Sequence, residues 1–260
     1  MTFKKIRTGL GLAALALGLM GSSAAQAGFS TTNVQLLYGD GFRLGGNGLG
    51  KTARETVTIN HFDTWKYGEN FFFVDIFHDD TVVGTNNTTD TYGELWSHLS
   101  FSKISGKDLN FGFVKDVLVG ASINQGNNFT VGLLGLRADL DIPGFNFVTF
   151  GVYSYNNVTD PFGRNLHTTT QETIVWDADI PASGRWKFKF KGFVDFIGAQ
   201  GSGVDNQIVF QPELLLDVGN FWGKPGKVGL GLEYAYFKNK FGVTGVNDNV
   251  LQLLLEFTLH

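Results

Sequence analysis

Two short stretches have residue types at spacings that could do chemistry. Gly45-Gly46-Asn47-Gly48-Leu49-Gly50-Lys51-Thr52 spells the phosphate-loop pattern GxxxxGK[ST]. That chemistry needs backbone N–H groups at a helix start, with the lysine on the β- and γ-phosphates and the threonine on magnesium. The next residues are Ala53-Arg54-Glu55-Thr56-Val57-Thr58-Ile59, an alternating β-branched run that suits a strand. The favoured reading is therefore a glycine-rich loop. His98 and Ser100 lie two apart, so on a strand they share a face, and a histidine there could act as base to the hydroxyl. The neighbouring Leu95, Leu99 and Phe101 take the apolar face, which turns the pair away from an acyl substrate in lipid. A lipid hydrolase built on His98 and Ser100 is accordingly the weakest functional alternative. With no cysteine there is neither a disulfide nor thiolate chemistry. No His/Asp/Glu cluster has convincing metal-ligand spacing, and neither metal nor cofactor is expected.

A third constellation appears only when strands are drawn. From Trp186, alternate positions read Trp186, Phe188, Phe190, Gly192, Val194 and Phe196, against Lys187, Lys189, Lys191, Phe193 and Asp195. The same period of two runs through Ile208–Leu216, Val228–Tyr236 and Leu251–Leu259. Earlier segments near 31–38, 54–62, 70–78, 93–102, 113–124, 129–140, 145–155 and 168–180 fit less cleanly, giving about twelve strands. The more polar face then collects Phe71, Phe73, Asp75 and Phe77; Glu94, Trp96 and His98; Tyr153 and Tyr155; Lys187, Lys189 and Lys191; and Glu213, Glu233 and Glu256. Rings beside ionisable groups suit a planar solute, stacked on its faces and hydrogen-bonded at its edge.

Composition agrees with an all-β chain. Of 260 residues, 35 are Gly and 25 are Phe, while only 17% are charged. Glycine is costly inside helices, and disorder needs low hydrophobicity with high net charge. Lys4, Lys5 and Arg7, the apolar Gly9–Met20 and Ala25-Gln26-Ala27 have the three parts of a secretory signal, so residues 1–27 are expected to be removed. The loss takes three positive charges from a formal net charge of −4, giving −7 for a single domain over 28–260. An acidic exported chain is a poor nucleic-acid binder, since phosphate contacts call for a basic patch. No later apolar run reaches the length of a spanning helix, which leaves a β-barrel as the membrane option.

An exported β-sandwich would show the same alternation with its apolar face inside. Against it, Trp, Phe and Leu fill almost every position of one face through successive strands. Trp65, Tyr67, Phe221 and Trp222 fall near strand ends, as in the aromatic girdles of barrels. The expected architecture is thus a transmembrane antiparallel β-barrel with both termini periplasmic. Turns are expected near 63–69, 103–109, 141–144, 181–184 and 218–226, with outer loops near 39–53, 79–92, 125–128, 156–167, 199–206 and 238–248. Pro212 falls inside a predicted strand, where its missing N–H argues against that strand or marks a bulge.

Three stretches resemble the Tsx-type nucleoside channel family of the outer membrane. They are Thr64–Phe77 (TWKYGENFFFVDIF), Gly93–Asn124 (GELWSHLSFSKISGKDLNFGFVKDVLVGASIN) and Gln171–Gly201 (QETIVWDADIPASGRWKFKFKGFVDFIGAQG), with Leu99–Lys115 the most telling. The resemblance implies a monomeric twelve-stranded barrel in outer-membrane lipid and lipopolysaccharide, passing nucleosides through a narrow lumen by diffusion. By position and facing, the implied substrate-binding residues are Phe71, Phe73, Asp75, Trp96, His98 and Lys189. The runner-up is a general small-solute pore. The chain ends Phe257-Thr258-Leu259-His260, where such barrels usually end on an aromatic residue, so Phe257 is the expected assembly signal.

Overall fold

A computed structural model describes residues 28–44, 50–80, 88–201 and 203–259. The expected signal segment and residues 45–49 of the phosphate-loop pattern lie outside them. Twelve strands run in order: β1 (Phe29–Leu44), β2 (Gly50–Trp65), β3 (Gly68–Asp79), β4 (Thr89–Ser100), β5 (Val114–Gly126), β6 (Phe129–Leu140), β7 (Phe147–Thr159), β8 (Thr169–Pro181), β9 (Lys187–Ile197), β10 (Gln207–Asp217), β11 (Val228–Lys238) and β12 (Asp248–Thr258). Each pairs antiparallel with its neighbours in sequence. The register Asn33↔Thr258 to Tyr38↔Leu253 joins β1 to β12 and closes the sheet, so no edge is left unpaired.

The apolar face points outward. Leu36, Tyr38, Ile76, Leu134, Leu136, Leu214, Leu232, Leu251 and Leu253 are between 43% and 62% exposed. A belt of that extent is not left in water, because each such side chain gains about 1.5–3 kcal/mol on full burial. The closed topology and the outward leucines together exclude the sandwich. Trp65, Tyr67, Trp186 and Trp222 gather at one rim: Trp65 packs edge-on to Tyr67 at 5.7 Å, and Trp186 packs on Phe221 at 5.1 Å. Just inside that rim one polar knot faces outward. Thr32 Oγ1 lies 2.8 Å from His61 Nδ1, Asp63 lies 3.5 Å from the other ring nitrogen, and Asn70 donates to Asp63 at 3.1 Å. The His61 ring stacks on Phe72 at 5.3 Å. Satisfying most of its groups internally makes such a knot tolerable at the lipid interface.

Several boundaries differ from those expected. The expected loop 39–53 gives up both its ends to strand, because β1 runs on to Leu44 past a bulge at Asp40/Phe42, and Gly50, Lys51 and Thr52 are strand residues of β2. They therefore do not begin a phosphate-binding helix. The expected strand 93–102 stops at Ser100, whose hydroxyl caps a short helix, α1 (Phe101–Ser105), by accepting from the Lys103 amide at 3.0 Å. Pro212 does sit within β10. Its pairing to β11 is interrupted between Phe210↔Tyr236 and Glu213↔Glu233, while Pro212↔Gly192 survives on the other side. The ladder thus gives up contact where proline has no donor.

Candidate functional site: the barrel lumen

The lumen is built where inward side chains from strands three apart reach one another. Tyr153 of β7 bonds His98 of β4 (3.1 Å, hydroxyl to Nε2), and Arg137 of β6 pairs with Glu69 of β3 (2.6 Å). Gln35 of β1 donates to both carboxylate oxygens of Glu213 on β10 (3.1 and 3.0 Å), and Lys191 of β9 pairs with Glu256 of β12. Each contact spans two intervening strands, so the interior is narrow.

One side, from β3 to β7, is aromatic. Phe71 and Phe73 have ring centroids 6.1 Å apart, and Phe73 meets Tyr92 at 5.8 Å. Trp96 lies parallel to His98 at 5.7 Å and edge-on to Tyr153 at 5.0 Å. Trp96, Val131, Leu133, Tyr153, Tyr155 and Ile197 form one buried cluster, flanked by Phe71 and Phe129. Two glycines make room for these rings: a Cβ on Gly120 would collide with the His98 ring, and one on Gly151 with the Tyr153 ring. The rings can therefore pack close against the barrel wall.

Polar groups are set among the rings. Glu94 accepts from the Tyr92 hydroxyl (2.6 Å), the Trp96 indole (2.7 Å) and the Asn124 amide (3.0 Å). Asp75 accepts from Thr58 at 2.5 Å, and Asp195 from Thr173 at 2.6 Å. Indole and phenol groups held this way keep their rings fixed, which suits them to stack on a flat solute.

The opposite side, β9 to β12 with β1, is ionic. Lys191 lies between Glu256 and Glu213, the latter at 3.3 Å, and Gln35 also donates to Glu256 at 3.0 Å. Gln252 donates to Glu233 at 2.6 Å. At the loop end of the barrel, Arg54 grips Asp79 with two bonds of 2.7 and 3.0 Å and stacks between Phe42 and Phe77.

Five of the six expected site residues meet on the aromatic side or its border: Phe71, Phe73, Asp75, Trp96 and His98. Lys189 does not join them. It lies toward the 182–186 turn, 38% exposed, held by Asp177 at 2.9 Å and Asp179 at 3.0 Å. Register places Lys191 two positions further in, and that residue is the interior cation. His98 and Ser100 do share the inward face, but their bonds diverge. His98 is held by Tyr153 and lies 3.5 Å from Arg137, whereas Ser100 donates to Asp116 and caps α1. The hydroxyl and the imidazole are thus committed elsewhere, and the hydrolase dyad is not assembled.

Strand periodicity gave no sign of the mouth at the loop end. In the 239–247 connection, Phe241 has a left-handed backbone (φ 57°) and lies 6.3 Å from Phe129, 6.1 Å from Phe162 and 5.7 Å from Phe237. A Lys240–Asp248 pair (2.6 Å) and the Asp205 N–H on the Gly242 carbonyl (3.0 Å) hold the segment inward. Loop sequences lack the period of two that reveals facing, so no pattern announced this cluster.

A closed antiparallel barrel with an apolar belt, an aromatic rim and a polar, ring-lined interior is the architecture of integral outer-membrane barrels. One solved structure agrees in fold. The chain is similar to a KdgM porin, with a TM-score of 0.50 at 9% identity over 89% of this chain and 100% of that one. A structure described as KdgM porin in complex with disordered oligogalacturonate matches with a TM-score of 0.48 at 9% identity, covering 89% of this chain and 100% of that one. The translocator domain of the autotransporter NalP from Neisseria meningitidis matches with a TM-score of 0.38 at 11% identity, over 96% of each chain. No family model matches the sequence, and no curated protein matches it significantly. At such identities the likeness concerns the fold: a porin-like barrel.

Proposed function

We propose that this protein is a passive outer-membrane channel selective for nucleosides or similar small planar solutes. The observation that carries the reading is the set of fixed rings, Phe71, Phe73, Tyr92, Trp96 and Tyr153, directly beside the hydrogen-bonding carboxylates of Glu94 and Asp75. Rings supply faces for a base, and carboxylates accept from its amino group or from ribose hydroxyls. A pore that only passes small solutes needs no such fixed stacking surface. In this reading the chain is a monomer with periplasmic termini, and it moves solute without chemical change.

Planar-bilayer conductance of the refolded protein tests the proposal. Open-channel current should fall on adding nucleoside at submillimolar concentration and stay constant with a hexose. Equal indifference to both would leave only a general small-solute pore. Absence of conductance would remove the channel reading itself.

A further inference from the structure

The charge inside the lumen is lopsided. The inward bases Arg54, Arg137, Lys189 and Lys191 are each already ion-paired, with Asp79, with Glu69 and Asp139, with Asp177 and Asp179, and with Glu213 and Glu256. Several inward carboxylates stand outside these pairs, among them Asp75, Glu94, Asp195 and Glu233. Among the described residues none of them has a base at ion-pair distance; their partners are neutral hydroxyl, indole and amide groups. Register sets Glu94 opposite Phe73, two positions from Asp75 on the adjoining strand, and the charges of Glu94 and Asp195, and of Glu233 and Asp75, also interact, all of them on the face toward the lumen volume.

A separate feature of the ionic side points to what that volume takes. Gln252 is 4% exposed; it gives its amide N–H to Glu233, and its Oε1 is buried with no donor among the described residues. A buried acceptor without a donor is costly, and a solute bearing N–H groups would supply one. Carboxylates beside a buried acceptor are complemented by an organic cation or a donor-rich edge.

We propose that Asp75, Glu94, Asp195, Glu233 and Gln252 form a cation-selecting filter, which favours solutes carrying a protonated amine and turns away anions, including phosphorylated forms of the solutes the channel passes. The inference rests on the channel reading and specifies its charge preference. A narrow passage lined by one sign of charge concentrates counter-ions and repels co-ions, by roughly tenfold or more where the walls are poorly solvated.

Reversal potentials across a bilayer holding the refolded full-length chain, under a potassium chloride gradient, measure this directly. Potassium should outrun chloride by roughly tenfold. 1,4-Diaminobutane should reduce the current at concentrations where acetate has no effect. The combined substitutions Asp75→Asn, Glu94→Gln and Asp195→Asn should bring the potassium preference down at least severalfold, and Glu94→Gln alone should lower it in part. Lys115→Gln, on an exposed pair with Asp141, should leave it unchanged. If the triple variant does not fold, as judged by heat-modifiable gel mobility, wild type and the single variant still decide the matter. A conducting wild-type channel with no preference, or a chloride preference, overturns the filter and leaves the channel standing. A non-conducting protein overturns the channel reading.

Discussion

The two sides of the lumen are assembled differently. From β3 to β7, rings lie on glycine and are fixed by hydrogen bonds at their edges, as with Trp96 on Glu94 and Tyr153 on His98. From β9 to β12 and β1, a single lysine holds two carboxylates together, and glutamines fill in around it. The first surface is mostly ring, with its polar edge atoms bonded to neighbouring side chains. The second has Lys191, Glu213 and Glu256 spent on one another, so that group braces the barrel across the lumen. Solute recognition should therefore respond to the aromatic side, and stability to the ionic one.

The strongest test of that contrast is Lys191→Met. Removing the cation leaves Glu213 and Glu256 facing each other, and breaking a buried pair from one side costs about 3–5 kcal/mol. Urea unfolding of the protein in lipid vesicles should show a loss of that order. The same experiment on Trp96→Ala, which opens a cavity in the buried cluster, should also register a loss, but that variant is set apart by its effect on a solute. Nucleoside block should weaken by about 1–3 kcal/mol, the usual worth of one base–aromatic stack, or some five- to 150-fold in the blocking concentration. Were Lys191→Met to weaken block more than Trp96→Ala does, the division between the two sides would fail.

A smaller effect is expected from Tyr153→Phe, which removes only the hydroxyl bond to His98. About 0.5–1.5 kcal/mol of stability should go, with a modest rise in blocking concentration as the imidazole loses its tether. Gly120→Ala sharpens the point from the wall side: its methyl would displace the His98 ring, so block should weaken although no ring has been removed.

The smallest effect belongs to the loop end, where Asp160 pairs with Arg164 at 2.8 Å. Burial works to raise the Asp160 pKa, but bonds from the Arg164 side chain and amide outweigh it and hold the value below the usual carboxylate range. A depressed folded-state pKa stabilises above the unfolded value, near pH 4, and that contribution disappears as pH falls through the lower folded value. The gain is about 0–1 kcal/mol, as for other solvent-screened pairs. Hydrogen exchange across 160–168 should be unchanged from pH 7 to about pH 4, once corrected for intrinsic rates, and protection should drop below that.

How far the site was legible in the sequence varied with the element. In β3 and β4 the period of two placed Phe71, Phe73, Asp75, Trp96 and His98 on the inward face, and the barrel has them there. Lys189 was on the correct face, but alternation says nothing of depth along a strand. The preference between Lys189 and Lys191 came from which carboxylates the barrel brings near each: Asp177 and Asp179 toward the turn, Glu213 and Glu256 in the interior. His98 and Ser100 show a different shortfall. Two positions apart they share a face, yet Ser100 is the last residue of β4 and is drawn into capping α1, which spacing cannot reveal.

By itself the sequence determined which residues of a strand share a face, because facing depends only on parity along the chain; which face meets lipid it left open, as the sandwich alternative shows. From this came the approximate strand number and the family of candidate lumen residues. Tertiary structure alone decided which of those residues meet. Contacts such as Gln35 with Glu213 and His98 with Tyr153 join positions 178 and 55 residues apart, and they depend on ladder register and on closure of β1 against β12. Phe241 reaches Phe129 and Phe162 by a loop turn with no periodicity to betray it. Facing is a local property of the backbone, whereas a site is a set of distances that closing the barrel creates.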